Sequence, residues 1–269
     1  MTIIQIIGGL GNQMFQYALF RSLHDKDSEV YYETFDAQPH HNGFELDKIF
    51  NIIQSPASDR SILFKLSRFQ EESWSKFNPE VLNKKNTYIC GNWQNRNYFP
   101  ADEILNKDFT FKQELDPKNQ EILKEIQESN SVSLHVRRTD YISLAGFYFQ
   151  ATWINYYGIA VNHISKNAKE KPLKFFVFSD DIEWCKKNFM IPAVYVENKG
   201  ANSWKDMLLM SNCKHNIIAN STFSWWGAWL NKNPEKMVIT PKQWISQPPA
   251  EWKLNPSEAL IDYNKWIKI

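Results

Sequence analysis

The chain of 269 residues predicts an α/β fold built on parallel sheets. Three observations carry that expectation. Short apolar runs alternate with stretches of helical spacing through the second half of the chain. The first apolar run, residues 2–7, passes straight into Gly8-Gly9-Leu10-Gly11 and then into a helical stripe. The densest polar chemistry, at 135–140, 179–181 and 220–222, falls each time at the carboxyl end of a predicted strand, where an open parallel sheet forms its ligand crevice.

Residues 2–7 predict the first strand, and Met14, Phe15, Ala18, Leu19 and Leu23 predict the helix after the glycine turn. Strand, glycine turn and helix let backbone amides and a helix N-terminus face a phosphate. The turn is not a dinucleotide fingerprint, because Gly9-x-Gly11 lacks the third glycine, and not a P-loop, because no Lys-Ser/Thr follows. A tight packing turn accounts for it equally well. Asn12 and Gln13 either cap the helix or reach a ligand, and Asn at a cap is the commoner case.

Residues 29–32 predict a second strand. An amphipathic helix is expected near Ile62–Phe69, and Asn92-Trp93-Gln94-Asn95 follows Tyr88-Ile89-Cys90-Gly91. Amides around a Trp could read hydroxyls in a groove, but a structural Trp among turn-forming neighbours is the more frequent arrangement. Pro100, Pro117 and a charged helical stretch over 119–129, with Ile122 and Ile126 spaced by four, form the connection. Two domains result, 1–130 and 131–269.

In the second domain Val132, Leu134 and Val136 mark a strand, and Trp153, Tyr157, Val161 and Ile164 a helix. Residues 173–178 read as a buried strand, and Ser179-Asp180-Asp181 opens a helix through Trp184-Cys185. Residues 193–196 are another strand. Ser203 is a candidate cap for a helix carrying Trp204, Met207, Leu208 and Met210. Residues 216–219 are a strand leading to Asn220-Ser221-Thr222 and the apolar helix 223–230, and 236–240 a last strand stopped by Pro241.

Composition narrows the function. Lys plus Arg number 31 against 30 Asp plus Glu, a formal +1, so there is no nucleic-acid footprint and any anion site is local. Aromatics are abundant, with 18 Phe, 11 Tyr and 11 Trp, which suits sugar faces, interfaces and cores alike. Cys90, Cys185 and Cys213 are widely spaced and odd in number, which fits a reducing compartment and inert thiols. No apolar run is long enough for a spanning helix, and the first residues lack a signal-peptide pattern.

Two neighbouring guanidiniums, Arg137 and Arg138, can grip a diphosphate through charge-assisted hydrogen bonds. The plainer account is a surface pair neutralised by Asp140. Recurrence of polar groups at three strand ends favours a site. Asp180 and Asp181 are adjacent and diverge in direction, a poor clamp for one cation, and helix capping is the preferred account of Asp181. The histidines offer no H-x-x-x-H pair, and His40-His41 reads as loop surface. The incomplete glycine pattern disfavours a dinucleotide oxidoreductase, although Glu33 stands near the position of its acidic residue.

Gly8-Gly9-Leu10-Gly11-Asn12-Gln13-Met14-Phe15-Gln16-Tyr17, His135-Val136-Arg137-Arg138-Thr139-Asp140-Tyr141, Phe178-Ser179-Asp180-Asp181 with Trp184-Cys185, and the run from Ile218 through Ser221-Thr222-Phe223-Ser224-Trp225-Trp226-Gly227 to Leu230 occur in order. Together they resemble the α-1,2-fucosyltransferase family, from residue 3 to about 245. The resemblance implies a GT-B-like fold, two facing Rossmann-like domains with the active-site cleft between them, the first on the acceptor side and the second binding the donor. It implies inverting transfer from GDP-fucose, with no metal and no cofactor, to an oligosaccharide or lipid-linked glycan. The 2-OH of a terminal galactose is the expected acceptor. The alternatives are the same GDP-sugar chemistry on another acceptor or linkage, or a non-catalytic sugar- or nucleotide-binding protein. The chain resembles the bacterial soluble kind that builds surface polysaccharide such as O-antigen. The expected place is the cytoplasm, with peripheral association at the inner membrane face as an option.

Carried onto this sequence, the family pattern sets Arg138 and Arg137 on the diphosphate and His135 beside that loop or on the donor. Asp180 faces the guanine side. Asn220, Ser221, Thr222 and the amide of Phe223 hold diphosphate or nucleoside, and Gly9, Gly11 and Asn12 close on the pyrophosphate from the other domain. Asp140 is the nearest acidic candidate for the base, with orientation of an arginine an equal alternative. Two departures stand out. Position 139 is Thr where many members carry Gly, and Leu144-Ala145-Gly146-Phe147 is short and apolar where acceptor choice is expected.

Overall fold

The computed structural model describes residues 1–37, 41–72, 76–143, 154–245 and 266–269. His40, Trp153 and the 144–147 segment lie outside them. The chain divides into two units, Met1–Gln113 and the described residues from Glu114 onward. The sequence reading set the boundary at 130. The helix in between goes with the second unit because polar groups at its start are tied there: Asp116 takes Lys205 Nζ at 2.7 Å, and Asn119 exchanges amide hydrogen bonds with Asn198 at 3.1 and 3.0 Å.

The first unit runs β1 (Thr2–Gln5), α1 (Leu10–His24), β2 (Val30–Glu33), α2 (Leu46–Ile49), β3 (Ser67–Gln70), β4 (Thr87–Cys90) and α3 (Asp102–Asp108). Its sheet has the order β2-β1-β4-β3, every pair parallel. The α1 stripe Met14, Phe15, Ala18, Leu19 and Leu23 is buried as its spacing predicts. A polar anchor joins it to α3, where Asp108 Oδ2 accepts Tyr17 Oη at 2.7 Å and Arg21 Nε at 2.6 Å.

The helix expected near Ile62–Phe69 is not formed. A 3-10 turn, Arg60–Lys65, is capped by Asp59 accepting Ser61 N, and it leads into strand β3. Strand pairing explains the difference: Ser67 through Gln70 lie in parallel register with Thr87 through Cys90, and the ladder they complete outweighs local helical spacing.

The second unit runs α4 (Pro117–Gln127), β5 (Asn130–Val136), α5 (Thr139–Ser143), α6 (Ile154–Asn167), β6 (Leu173–Ser179), α7 (Ile182–Asn188), β7 (Ala193–Val196), α8 (Trp204–Asn212), β8 (His215–Ile217), α9 (Thr222–Leu230), β9 (Val238–Thr240) and β10 (Ile267–Lys268). All strands pair in parallel in the order β10-β9-β8-β5-β6-β7. Counted from β5 as the first, this is the doubly wound order 3-2-1-4-5-6, which reverses between β5 and β8. Val132, Leu134, Val136, Val177, Ile217 and Ile239 form the core, closed by Tyr157 and Ile164 of α6.

Ser203 precedes α8 without capping it. Its backbone is helical, φ −59° and ψ −26°, and its side chain makes no cap bond, because the 3-10 turn Gly200–Asn202 feeds directly into the helix. At the far end of α9, Lys236 Nζ donates to the carbonyls of Ala228 and Asn231 at 2.8 and 2.5 Å, a cation set on a helix C-terminus.

Candidate functional site

Strands β8, β5 and β6 are consecutive in the second sheet, so their carboxyl ends set the three polar clusters side by side at the reversal of strand order. The register is fixed by Val136 opposite Ser179 and Leu134 opposite Ile217.

Asp180 is the hub of the turn after β5. Its Oδ1 accepts Arg138 N at 2.9 Å, and its Oδ2 accepts Thr139 N at 3.2 Å and Thr139 Oγ1 at 2.6 Å. Arg137 Nη1 stands 3.2 Å from the same Oδ2. Arg137 is also paired with Asp140 through Nε at 2.9 Å and Nη2 at 3.0 Å, a fork-to-fork contact. Burial works against the Arg137 charge, but Asp180 and Asp140 outweigh it and hold its pKa above the ordinary value. Asp140, the candidate base, therefore has both oxygens on an arginine.

Arg138 is held differently. Its Nε faces Asp181 Oδ2 at 3.3 Å and its guanidinium carbon lies 3.7 Å from the centroid of the Trp184 ring. Asp181 caps α7 as the sequence reading preferred, with Oδ1 accepting Trp184 N at 3.1 Å. The Arg138 side chain is only 12% exposed, yet no described residue is hydrogen-bonded to Nη1 or Nη2. Those two nitrogens form a planar fork of the kind that matches phosphate oxygens.

His135 is buried beside this turn, its ring 5.8 Å from that of Phe223. Burial, reinforced by the Arg137 charge, pushes its pKa down to about 3, so the imidazole is neutral at pH 7. Its Nδ1 has no partner among the described residues, and a buried orphan of this kind calls for a ligand or water. Asn220 is anchored by Nδ2 to Trp244 O at 2.7 Å, while its Oδ1 is buried without a partner among the described residues. Tyr141 Oη reaches Asn220 O at 3.1 Å and so ties the end of β8 to the turn after β5.

Ser221 is the N-cap of α9, with extended backbone (φ −133°, ψ 130°) and no side-chain cap bond. Thr222 and Phe223 open the helix, half-buried. A helix start whose cap makes no side-chain bond to the first turn presents backbone N–H groups suited to an anion.

Gly9, Gly11 and Asn12 belong to the first unit. Gly8 has φ 82°, the left-handed region, and a Cβ there would sit 3.2 Å from Asn12 Nδ2. Gly9 is the N-cap of α1, and its carbonyl accepts Asn12 N at 2.9 Å and Gln13 N at 3.1 Å. Neither amide side chain caps the helix. Gln94 Nε2 donates to Asn12 Oδ1 at 3.0 Å, and Gln13 Nε2 donates to the carbonyls of Gly8 and Gly43 at 2.8 and 2.7 Å. Gln16 accepts Ile7 N at 2.9 Å and donates to Gly91 O at 3.0 Å. At the end of β3, Glu71 accepts Asn92 N at 2.6 Å and Trp93 N at 3.1 Å, and burial, opposed by these amides, pushes its pKa up to about 7. Trp93 is fully buried against Phe69 and Tyr98, the structural arrangement rather than a hydroxyl reader.

Sequence reasoning gave no role to Trp184, Tyr141 or Glu71, and treated Thr139 only as a departure. The spacing Asp181-x-x-Trp184 is a cap signature that would have placed the indole beside the aspartate pair. Among the described residues no group of three His, Cys, Asp or Glu could hold a metal ion, and no helix is long and apolar enough to cross a membrane.

Comparison with known proteins agrees with this architecture. The family described as Glycosyl transferase family 11 matches residues 1–264. The α-1,2-colitosyltransferase of Escherichia coli is 34% identical over all of this chain and 98% of its own length. The O-antigen biosynthesis glycosyltransferase WbnK of Escherichia coli is 30% identical over 89% of this chain and 93% of its own. Among solved structures, the Bradyrhizobium NodZ α-1,6-fucosyltransferase in crystals soaked with GDP-fucose matches with a TM-score of 0.52 at 16% identity, over 84% of this chain and 90% of that one. That last likeness is one of fold: the two parallel-sheet, helix-covered units have the GT-B-like, two-Rossmann-domain architecture expected from the sequence. A family match spanning nearly all of the sequence, joined to a relative at 34% over its whole length, makes this chain a glycosyltransferase belonging to glycosyl transferase family 11.

Proposed function

We propose that this chain transfers a sugar from a GDP-activated donor, with inversion, to a hydroxyl of an oligosaccharide or lipid-linked glycan. The observation that carries the reading is the Nη1/Nη2 fork of Arg138, hydrogen-bonded to no described residue, at the carboxyl end of β5 where the strand order of the second sheet reverses next to β8. When the anomeric C–O bond breaks, negative charge collects on the β-phosphate. A fixed guanidinium and helix-start amides stabilise that charge more than they stabilise the ground state. In this reading Arg138 and the amide at Phe223, in the first turn of α9, take the diphosphate beside Thr222, and Nδ1 of His135 and Oδ1 of Asn220, which have no partner among the described residues, offer further hydrogen bonds to the donor. Arg137 and Asp180 shape the turn. Asp140, paired at both oxygens, orients Arg137 rather than serving as the base.

The narrower reading, fucose to the 2-OH of a terminal galactose, is less well supported than its alternative. The relative that matches over the whole chain is named for a different sugar, colitose, and another for O-antigen biosynthesis. Both names fit the same donor chemistry directed to another sugar, acceptor or linkage. The test is incubation of the purified protein with a panel of GDP- and UDP-sugars and galactoside and other glycan acceptors, followed by linkage analysis. Transfer from a GDP-sugar supports the proposal, and turnover with UDP-sugars alone would overturn it.

A further inference from the structure

We propose that Trp184 is a positioning residue for the donor diphosphate, acting through Arg138. The inference deepens the reading of Arg138 as a phosphate ligand and rests on it.

An arginine side chain has several rotatable bonds, and it binds a phosphate productively only when its planar fork is aimed. Three contacts remove that freedom here. The guanidinium lies on the Trp184 indole at 3.7 Å from the ring centroid, its Nε faces Asp181 Oδ2 at 3.3 Å, and the Arg138 backbone amide is bound by Asp180 at 2.9 Å. The platform is itself fixed. The backbone amide of Trp184 donates to Asp181 Oδ1 at 3.1 Å, so one carboxylate holds both the turn that carries the indole and the arginine that lies on it. Phe189 also packs against the indole, in a T-shaped contact at 5.9 Å and 83°. The remaining nitrogens, Nη1 and Nη2, are hydrogen-bonded to no described residue. Arg138 is thus presented with its face and its Nε occupied and its two-pronged end open, the geometry for bidentate recognition of a phosphate.

A plain packing role for Trp184 predicts something different, since a packing residue can be exchanged without regard to Arg138. The experiment is a double-mutant cycle read by calorimetric GDP affinity, by KM and kcat for the GDP-sugar, and by thermal unfolding. Trp184→Leu should weaken GDP binding about tenfold, within the range of a desolvated cation–π contact. Trp184→Phe, which keeps an aromatic face, should recover most of that loss. In the Arg138→Ala background Trp184→Leu should have no further effect on GDP affinity. Arg138→Lys, which keeps the charge and loses the planar face, should lose about as much as Trp184→Leu, and it tests the idea even where the leucine variant folds poorly. Wild-type affinity in Trp184→Leu or Arg138→Lys, or additive losses in the double variant, would overturn the inference. A wild-type protein that binds no GDP would instead sink the donor reading beneath it.

Discussion

Thr139 gives both its backbone amide and its hydroxyl to a single oxygen of Asp180, at 3.2 and 2.6 Å. With the Arg138 amide on the other oxygen, the first turn of α5 hangs from one carboxylate supplied by the neighbouring strand. The departure from glycine at position 139 thereby acquires a physical role: the added hydroxyl is a third donor holding the arginine turn. Asp180, expected toward the guanine, has its described hydrogen bonds directed at that turn.

Replacing Thr139 by Val keeps the side-chain shape and deletes the hydroxyl. One hydrogen bond to a charged group is lost, worth roughly 1.5 kcal/mol, so GDP affinity should fall about tenfold while Thr139→Ser stays near wild type. Calorimetry on the two variants checks this, and equal affinities for both would refute the role of the hydroxyl.

Arg138→Ala should cut transfer about a hundredfold with the fold intact. Removing a group that stabilises developing phosphate charge costs on the order of 3 kcal/mol in the chemical step, about two orders of magnitude in kcat. Thermal unfolding should show a folded protein with a modest drop in midpoint, since the variant loses a 3.3 Å ion pair and the stack on Trp184 at the edge of the unit and leaves the core intact. Sustained turnover in this variant would remove Arg138 from the diphosphate site.

Asp140→Asn separates base from orienter. The carboxylate is engaged by Arg137 at both oxygens, so the variant should lose GDP affinity and turnover together. A fall in kcat with unchanged GDP affinity would restore Asp140 as the base.

Asp206 supplies a stability test. It is buried at the start of α8 with Asn198 Nδ2 at 2.7 Å, and burial, opposed by that amide, pushes its pKa up to about 7. The folded state then holds the proton more tightly than the unfolded chain, whose carboxyl titrates near 3.8. Stability from this group is complete below pH about 4 and is lost as pH rises toward 7. Asp206→Asn should remove that decline and be the more stable protein at pH 8, by a few kcal/mol at most. Urea unfolding of both proteins at pH 5 and pH 8 measures it; the same difference at the two pH values would count against the assignment.

Much of the second unit was legible because its strands are buried on both faces and its helices carry regular stripes. Val132-Leu134-Val136 and Tyr157-Val161-Ile164 announced β5 and α6 directly. The three polar clusters were legible as strand ends, and their adjacency followed once a parallel sheet was inferred. What the sequence hid depends on tertiary pairing. Strand β3 reads locally as a helix and becomes a strand only against Thr87–Cys90. Strand β10 has two residues, Ile267–Lys268, and exists only because β9 offers an edge. The engagement of Asp140 and Asp180 by the arginine turn was equally out of reach, since a carboxylate near an arginine in sequence can orient it or act independently, and only distances decide.

One turn of α1 services three separate connections in the first unit: Asn12 holds Gln94, Gln13 holds Gly8 and Gly43, and Gln16 holds Ile7 and Gly91. Glu71 pins the same 91–93 bend from the edge of the sheet, where a Cβ at Gly91 would stand 2.4 Å from its own. Anyone transplanting a loop from a relative to redirect this enzyme would therefore inherit a wiring constraint. A graft at 42–45 or 91–95 must arrive with matching amide partners at 12, 13 and 16, or disturb the two bends left untouched.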